Sequence, residues 1–241
     1  MELKRHTGVL EAKTLVTADV AHLRIALDEP MAWRAGQFIR LEGHPDPLPA
    51  PPAVRCYSLA TAPEVDSTHI ELLVRHVPNG ACSTWIHRDV QPGQALAFLG
   101  PMGLFHLSDA TGPIIGIAGS SGMSPLRAIF QDMEQRGLRR ETRFFFGART
   151  QADLFFVEEW RAFEQRSPWF HFIPVLSDEP ANSSWAGERG LVTDAVARQS
   201  ADLSGQEAYL CGSPGMITAA GKILGERGLS ADRLFYDKFN V

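Results

Sequence analysis

Four groups of residues in this sequence of 241 residues have types and spacing that carry chemistry. The first is Arg55-Cys56-Tyr57-Ser58, a cation, an aromatic and a hydroxyl on a short extended segment. Strand alternation sends Arg55 and Tyr57 to one side and Cys56 and Ser58 to the other. A guanidinium grips a pyrophosphate with a bidentate fork. A phenol ring lies on an isoalloxazine, and a hydroxyl or N–H bonds a flavin's reactive nitrogen. The second group, Gly80-Ala81-Cys82-Ser83, puts small residues with free N–H groups ahead of a helical stretch, which suits an anion at a helix N-terminus. Taken alone, these four residues read better as an ordinary Ser-capped helix; their place about 25 residues after the Arg-Cys-Tyr-Ser segment favours the anion site. The third, Gly119-Ser120-Ser121-Gly122, is a small-residue turn between an apolar run and a helix. The fourth is a set of small or polar residues ending three further apolar runs: Arg149; Ser177 and Asp178; and Cys211, Gly212 and Ser213, with Met216 just beyond.

The elements that must position these groups fall into two patterns. Up to residue 108 the chain alternates loosely in short stretches, with Val9, Leu15, Leu23, Ile25 and Leu27 apolar. Turns separate the stretches, and the run Ile70-Glu71-Leu72-Leu73-Val74-Arg75-His76-Val77 is the most strand-like. Residues 44–52 hold five prolines and read as a loop. Many short strands with turn-rich connections predict a small antiparallel β-barrel over residues 1–108. Around residues 109–112 the pattern changes. Residues 113–118 are continuously apolar, as in a strand buried on both faces of a parallel sheet. Strands at 143–146, 170–176 and 208–211 follow. The strand, Gly-rich turn and helix predict a Rossmann-like α/β domain with a parallel sheet over 109–241, binding its ligand beyond the carboxyl ends of the strands.

Composition limits the partners. The chain is 44% hydrophobic and 21% charged, which is globular, and its formal charge of −5 supplies no basic stripe for nucleic acid. No apolar run reaches the ~20 residues that span a bilayer, and no signal-peptide core follows the start, so neither a membrane nor export is expected and the cytoplasm is. Cys56, Cys82 and Cys211 are odd in number and widely spaced, so no disulfide framework and no metal site is expected.

On these residues the chain resembles the ferredoxin–NADP reductase superfamily, and within it the FAD/NADH reductase portions of bacterial mono- and dioxygenase systems. The marks run in colinear order through nearly the whole chain. They include the four groups above, Gly100-Pro101-Met102-Gly103, Phe146-Gly147-Ala148-Arg149, Asp153-Leu154-Phe155 and the terminal Phe235-Tyr236-Asp237-Lys238-Phe239. The resemblance implies that Arg55 holds the FAD pyrophosphate, that Tyr57 packs on the isoalloxazine with Cys56 beside it, and that Ser58 bonds near its reactive nitrogen. Leu73, Val74 and Arg75 would line the adenosine side. Gly80 and the N–H groups of Ala81, Cys82 and Ser83 would complete the phosphate cradle. Gly119, Ser120, Ser121 and Gly122 would lie under the nicotinamide cofactor's pyrophosphate, with Ser121 near the flavin and nicotinamide. Cys211 would sit by the nicotinamide and Phe239 over the flavin. Asp237 matches a proposed proton-relay position. A small buried strand end for Cys211 and a solvated surface acid for Asp237 remain open alternatives.

The chain departs from the family at two places. The usual G-G-T-G is Gly119-Ser120-Ser121-Gly122 and the usual C-G-P-P is Cys211-Gly212-Ser213-Pro214. A serine in place of the second glycine opposes positive φ and adds bulk beside the phosphate. Cofactor choice follows from charge. NADP-using relatives carry Ser-Arg where this chain has Ser177-Asp178-Glu179, so a 2′-phosphate would meet two carboxylates and NADH is expected over NADPH. Arg149, able to reach the ribose, argues the other way. The expected activity is hydride transfer from NADH to FAD and single-electron delivery to an iron–sulfur acceptor. No C-x4-C-x2-C run is present, so the [2Fe–2S] acceptor is expected to be a separate ferredoxin or oxygenase component, unless this is an excised reductase module. A free-flavin or quinone reductase and a flavin-binding sensor module with impaired nicotinamide binding are the alternatives.

Overall fold

The computed structural model describes residues 3–43, 53–65 and 67–239, so the proline-rich stretch read as a loop, 44–52, lies outside the described residues. Two compact units divide the chain. Residues 1–107 with 127–132 form one, and residues 108–126 with 133–241 form the other.

The first unit contains β1 (Lys4–Leu15), β2 (Val20–Leu27), β3 (Phe38–Gly43), β4 (Ala53–Ser58), β5 (His69–Arg75), α1 (Ala81–Arg88) and β6 (Ala95–Met102). The six strands make one antiparallel sheet in the order β4-β3-β6-β1-β2-β5. An isolated antiparallel bridge, Leu59↔Leu72, and the bond from Ala60 N to Glu71 O at 2.8 Å join the chain just after β4 to β5. The two edge strands therefore meet, and the sheet is curled. Leu23, Ile25, Ile39, Leu41, Ile70, Leu72, Val74 and Phe98 fill its inside. Each such burial contributes about 1.5–3 kcal/mol, and a one-residue slip would turn the whole set outward, so the alternating pattern fixes the register.

The second unit contains β7 (Ile114–Gly119), α2 (Met123–Gln135, whose residues 127–132 belong to the first unit), β8 (Thr142–Ala148), α3 (Val157–Arg166), β9 (Phe170–Leu176), β10 (Glu188–Arg189), α4 (Val192–Gln199), β11 (Glu207–Gly212), α5 (Pro214–Glu226) and β12 (Leu234–Lys238). All its pairings are parallel, in the order β10-β9-β8-β7-β11-β12. The four apolar runs expected as strands are β7, β8, β9 and β11; β7 and β11 are buried nearly throughout, and β8 and β9 at most positions. Two strands, β10 and β12, were not expected. β12 is partly or fully exposed at every position, so it lacks the continuous apolar signature. The strand order reverses between β7 and β11, which lie side by side although three strands, β8, β9 and β10, and three helices, α2, α3 and α4, separate them in sequence. Such a reversal opens a crevice at the carboxyl ends of the two strands.

Candidate functional site

In the first unit the cross-strand register settles which side each residue of the Arg-Cys-Tyr-Ser segment faces. Tyr57 and Arg55 lie opposite the buried Ile39 and Leu41, while Cys56 and Ser58 lie opposite Arg40 and Phe38. Side chains directly opposite in an antiparallel pair share a face, so Arg55 and Tyr57 share the inner face and Cys56 and Ser58 the outer one. Tyr57 packs against the barrel core, and its hydroxyl donates to Cys82 Sγ at 3.5 Å. Burial pushes both the Tyr57 phenol and the Cys82 thiol up, so both stay protonated at neutral pH. This contact brings the Arg-Cys-Tyr-Ser strand against the start of α1, where the Gly-Ala-Cys-Ser group sits. The Arg55 charge is close enough to act on Cys82.

The start of α1 is shaped for an anion. Gly80 is its N-cap, and the cap is not the serine-capped form: Ser83 Oγ instead accepts from Val77 N at 3.1 Å. A Cβ on Gly80 would lie 2.8 Å from Ser83 Oγ and 3.0 Å from Val77 O, so a side chain there would crowd the cap. The N–H groups of Ala81, Cys82 and Ser83 belong to the first turn and have no intrahelical acceptor. No acidic residue stands in that turn. At the other end Lys13 Nζ donates to the carbonyls of Ile86, His87 and Val90, matching the negative pole of the helix. Among the described residues, Arg5, Arg24, Arg75 and Arg127 of this unit each pair with a carboxylate, whereas Arg34, Arg40, Arg55 and Arg88 do not; of these four, Arg55 is the one on the strand that meets the start of α1 through Tyr57 and Cys82, and its guanidinium donates to the neighbouring carbonyl of Val54 at 2.9 Å. A guanidinium without a carboxylate, beside a helix start without an acid, fits a pyrophosphate. Ser58 is buried and Cys56 exposed. Leu73 is buried, and Val74 points into the core, so Val74 can offer a ligand only its main chain. Arg75 pairs with Asp19 at 3.3 Å.

In the second unit the turn after β7 meets the end of β11. Residues Ser120–Gly122 form a short 3₁₀ turn leading into α2. A Cβ on Gly122 would lie 2.2 Å from Cys211 O and 2.6 Å from Cys211 C, so the turn and the β11 backbone approach as closely as glycine alone permits. Ser120 has φ +51°, so the serine that replaces the family's second glycine still takes up the left-handed backbone that glycine favours. Ser121 is buried, and its carbonyl accepts from Ser124 Oγ at 2.9 Å. Cys211 is fully buried, and burial, followed by the nearby Asp237 charge, pushes its thiol well up, so it acts as a neutral group and not as a thiolate nucleophile. Asp237 is its register partner on β12, and Phe239 N donates to Gly212 O at 3.0 Å, which anchors Phe239 beside the β11 end. Ser213 caps α5, accepting from Met216 N at 3.3 Å, and Met216 Sδ lies against Gly119. Cys211, Gly212, Asp237, Phe239 and the Gly119-to-Gly122 turn thus converge at the carboxyl ends of β7 and β11.

A second convergence lies at the ends of β8 and β9. Ser177 N donates to Ala148 O at 3.0 Å and Asp178 N to Arg149 O at 2.8 Å, so Arg149, Ser177 and Asp178 stand together, and all three are exposed. Arg149 pairs with Asp153 at 3.0 Å, and Asp153 also accepts from Thr150 N and Thr150 Oγ1. Burial alone would raise the Asp153 carboxyl, but these bonds outweigh it and hold it low. Glu179 is engaged by Gln151, whose backbone N–H is the largest influence holding that carboxyl low. The Thr150–Asp153 link is the S/T-x-x-D capping signature and is readable in sequence. The Gln151–Glu179 contact joins residues far apart in the chain and has no sequence signal.

A curled antiparallel sheet followed by a parallel sheet with a Gly-rich turn after its first strand is the architecture of linked FAD-binding and NAD-binding oxidoreductase domains. Comparison with known proteins agrees. The oxidoreductase FAD-binding domain family matches residues 7–107 and the oxidoreductase NAD-binding domain family residues 117–222. The reductase subunit of an Amycolatopsis aromatic O-demethylase is 35% identical over 239 residues, 95% of this chain and 69% of that protein. The reductase component of phenol 2-monooxygenase from Pseudomonas is 35% identical over 236 residues, 97% of this chain and 65% of that protein. The crystal structure of the Amycolatopsis cytochrome P450 reductase GcoB superposes with a TM-score of 0.90 at 33% identity, covering 98% of this chain and 70% of that one. The chain belongs to the ferredoxin–NADP reductase superfamily and groups with the reductase components of bacterial oxygenase systems. It spans less than two thirds of the phenol enzyme's reductase component, at 65%, and of the reductase components of propane 2-monooxygenases from Mycolicibacterium goodii and Rhodococcus jostii, at 64% and 60%.

Proposed function

We propose that this chain oxidises NADH through a bound FAD and delivers electrons one at a time to an iron–sulfur protein, either a ferredoxin or an oxygenase component. The observation that carries the reading is the cradle of the first unit, where Arg55 has no carboxylate partner among the described residues and stands beside the acid-free start of α1. Bound FAD supplies the conversion between two-electron hydride chemistry and one-electron delivery. The chain's own residues hold and orient. Arg55 and the first-turn N–H groups of α1 grip the pyrophosphate, Tyr57 offers its ring and Ser58 its hydroxyl to the isoalloxazine, and Leu73, Val74 and Arg75 support the adenosine side. In the second unit Gly119 to Gly122 admit a pyrophosphate close to the backbone. The neutral Cys211 thiol packs the nicotinamide side without reacting, Asp237 holds a proton-accepting carboxylate, and Phe239 presents a ring. Asp178 accepts from the ribose hydroxyl, which favours NADH.

The sequence contains three cysteines, fewer than the four of a [2Fe–2S] ligand set, so the accepting cluster lies outside this sequence. No helix among the described residues is long and apolar enough to cross a membrane, and Cys56, Cys82 and Cys211 form no disulfide, which fits the reducing cytoplasm where we place the protein.

Anaerobic stopped-flow mixing of the flavin-loaded protein with NADH and, separately, NADPH tests the reading through the flavin's visible absorbance. Fast bleaching by NADH and slow bleaching by NADPH is expected. Bleaching by neither would leave a flavin-binding module and overturn the enzyme.

A further inference from the structure

The end of β8 opposes a 2′-phosphate by more than charge repulsion. A phosphate group brings about two negative charges and three acceptor oxygens, and it binds where N–H donors converge. Donors do converge here, and the chain's own carboxylates take them. Arg149 Nη2 donates to Asp153 Oδ1 at 3.0 Å, and Thr150 N and Oγ1 both donate to Asp153 Oδ2 at 3.0 Å. Gln151 N donates to Glu179 Oε2 at 2.8 Å, and Gln151 Nε2 donates to Glu179 Oε1 at 2.6 Å. The two contacts to Glu179 are short and bidentate, as charge-assisted bonds are. Glu179 is also fixed through its backbone, since its carbonyl accepts from Arg189 Nη1 at 3.0 Å. The Asp178 carboxylate stands one residue away on the same strand end, beside the Arg149 carbonyl that its own N–H binds.

We propose that Glu179, clamped by Gln151, fills the anion-binding position at the end of β8 and is the residue that keeps 2′-phosphorylated nicotinamide cofactors out. The inference rests on the reading of this strand end as the ribose site of a nicotinamide cofactor. The two acids then divide the work. Asp178 has its carboxylate oxygens available to accept from a ribose hydroxyl, and Glu179 acts as a built-in substitute for the phosphate. Removing the Glu179 carboxylate exposes the Gln151 N–H and amide and deletes one negative charge, which are the two changes a 2′-phosphate requires. Asp153 keeps Arg149 in place from the other side.

Calorimetric titration of the flavin-loaded protein with 5′-AMP and with adenosine 2′,5′-bisphosphate tests this directly. The wild-type chain should bind 5′-AMP the more tightly. Glu179→Ala should shift the affinity ratio toward the bisphosphate by about tenfold or more, and Glu179→Gln, which keeps an acceptor for Gln151 N but loses the charge, by less. Unchanged melting temperatures in both variants would show that the loop still folds. The proposal is overturned if Glu179→Ala leaves the ratio unmoved, if Asp178→Asn alone produces the whole shift, or if neither nucleotide binds the wild-type chain. Flavin bleaching by NADH, recorded on the same samples, separates this proposal from the redox reading. Bleaching with an unmoved ratio leaves the reductase standing and removes the role of Glu179. A shifted ratio without bleaching does the reverse.

Discussion

At the scale of single residues, the turn after β7 shows what this chain changed and what it could not change. Ser120 sits at φ +51°, in the left-handed backbone region that favours glycine. A residue with a Cβ in the left-handed region costs about 1–2 kcal/mol, and glycine returns part of that gain through the freedom of the unfolded chain. Ser120→Gly should therefore stabilise the protein by roughly 0.5–1 kcal/mol, seen as a higher denaturant midpoint with an unchanged slope. A lower midpoint would show that the serine side chain contributes more than its backbone costs. Gly122 tolerates no such exchange. A methyl there would lie 2.2 Å from a main-chain oxygen of β11, and backbone moves aside less readily than a flexible side chain. Gly122→Ala should cost about 1–3 kcal/mol and weaken binding of nicotinamide cofactors, measured by denaturation and by the NADH dependence of flavin reduction. Both sites were visible in sequence as a Gly-x-x-Gly turn, but only the structure shows that the first serine bears the strain and the second glycine meets Cys211.

At the scale of elements, the strands came through the sequence where periodicity was strong and were lost where it was weak. Residues 170–176, apolar but for the exposed His171, are β9 to the residue, and the alternating first half folds as the curled antiparallel sheet. β12 escaped because an edge strand exposes half its side chains, although its register against β11 is what brings Asp237 level with Cys211. The cradle was legible as two motifs, but the tie between them was not. Tyr57 read as a flavin contact, and its hydroxyl bond to Cys82 comes from packing between distant residues. Equally hidden was the polar cluster beneath the parallel sheet. Arg140 Nη2 donates to Glu207 Oε2 at 2.7 Å and its Nε to Gly112 O at 2.6 Å, while Ser108 and Tyr209 hydroxyls also donate to Glu207. Both charges are almost wholly buried, and Arg140 Nη1 already has no partner among the described residues. Glu207→Ala would leave that guanidinium without its counter-charge, so a loss of about 3–5 kcal/mol is expected, far above an exposed pair. Urea unfolding followed by tryptophan fluorescence, to which Trp160, Trp169 and Trp185 of the same unit contribute, measures it; a loss below 1 kcal/mol would mean the cluster is not a structural keystone of β11.

At the scale of the whole molecule, the chain's response to acid depends on which unit yields first, because two compact units need not unfold in one transition. The first unit carries an acid-sensitive charge centre. Glu71 of β5 accepts from His22 of β2 at 3.0 Å and from Arg127 of α2 at 2.8 Å, with Arg24 of β2 at 3.5 Å. Arg127 also donates to Ala60 O at 2.6 Å, next to the closing bridge of the curled sheet. Burial alone would raise the Glu71 carboxyl, but the His22 hydrogen bond and the Arg127 charge outweigh it and push it down to about 2. In the unfolded chain the same group titrates near 4.3. A folded-state value below the unfolded one gives stability that is complete above about pH 4.3 and disappears as pH falls through about 2, and the difference corresponds to about 3 kcal/mol at most. The wild-type chain should therefore lose its advantage over Glu71→Gln progressively between pH 4.5 and 2. Because Glu71 shares its unit with the flavin cradle, release of flavin fluorescence should track that loss. Urea titrations of both proteins at several pH values in this window decide it: a stability gap that stays constant across the window would show that Glu71 is held by shape and not by charge.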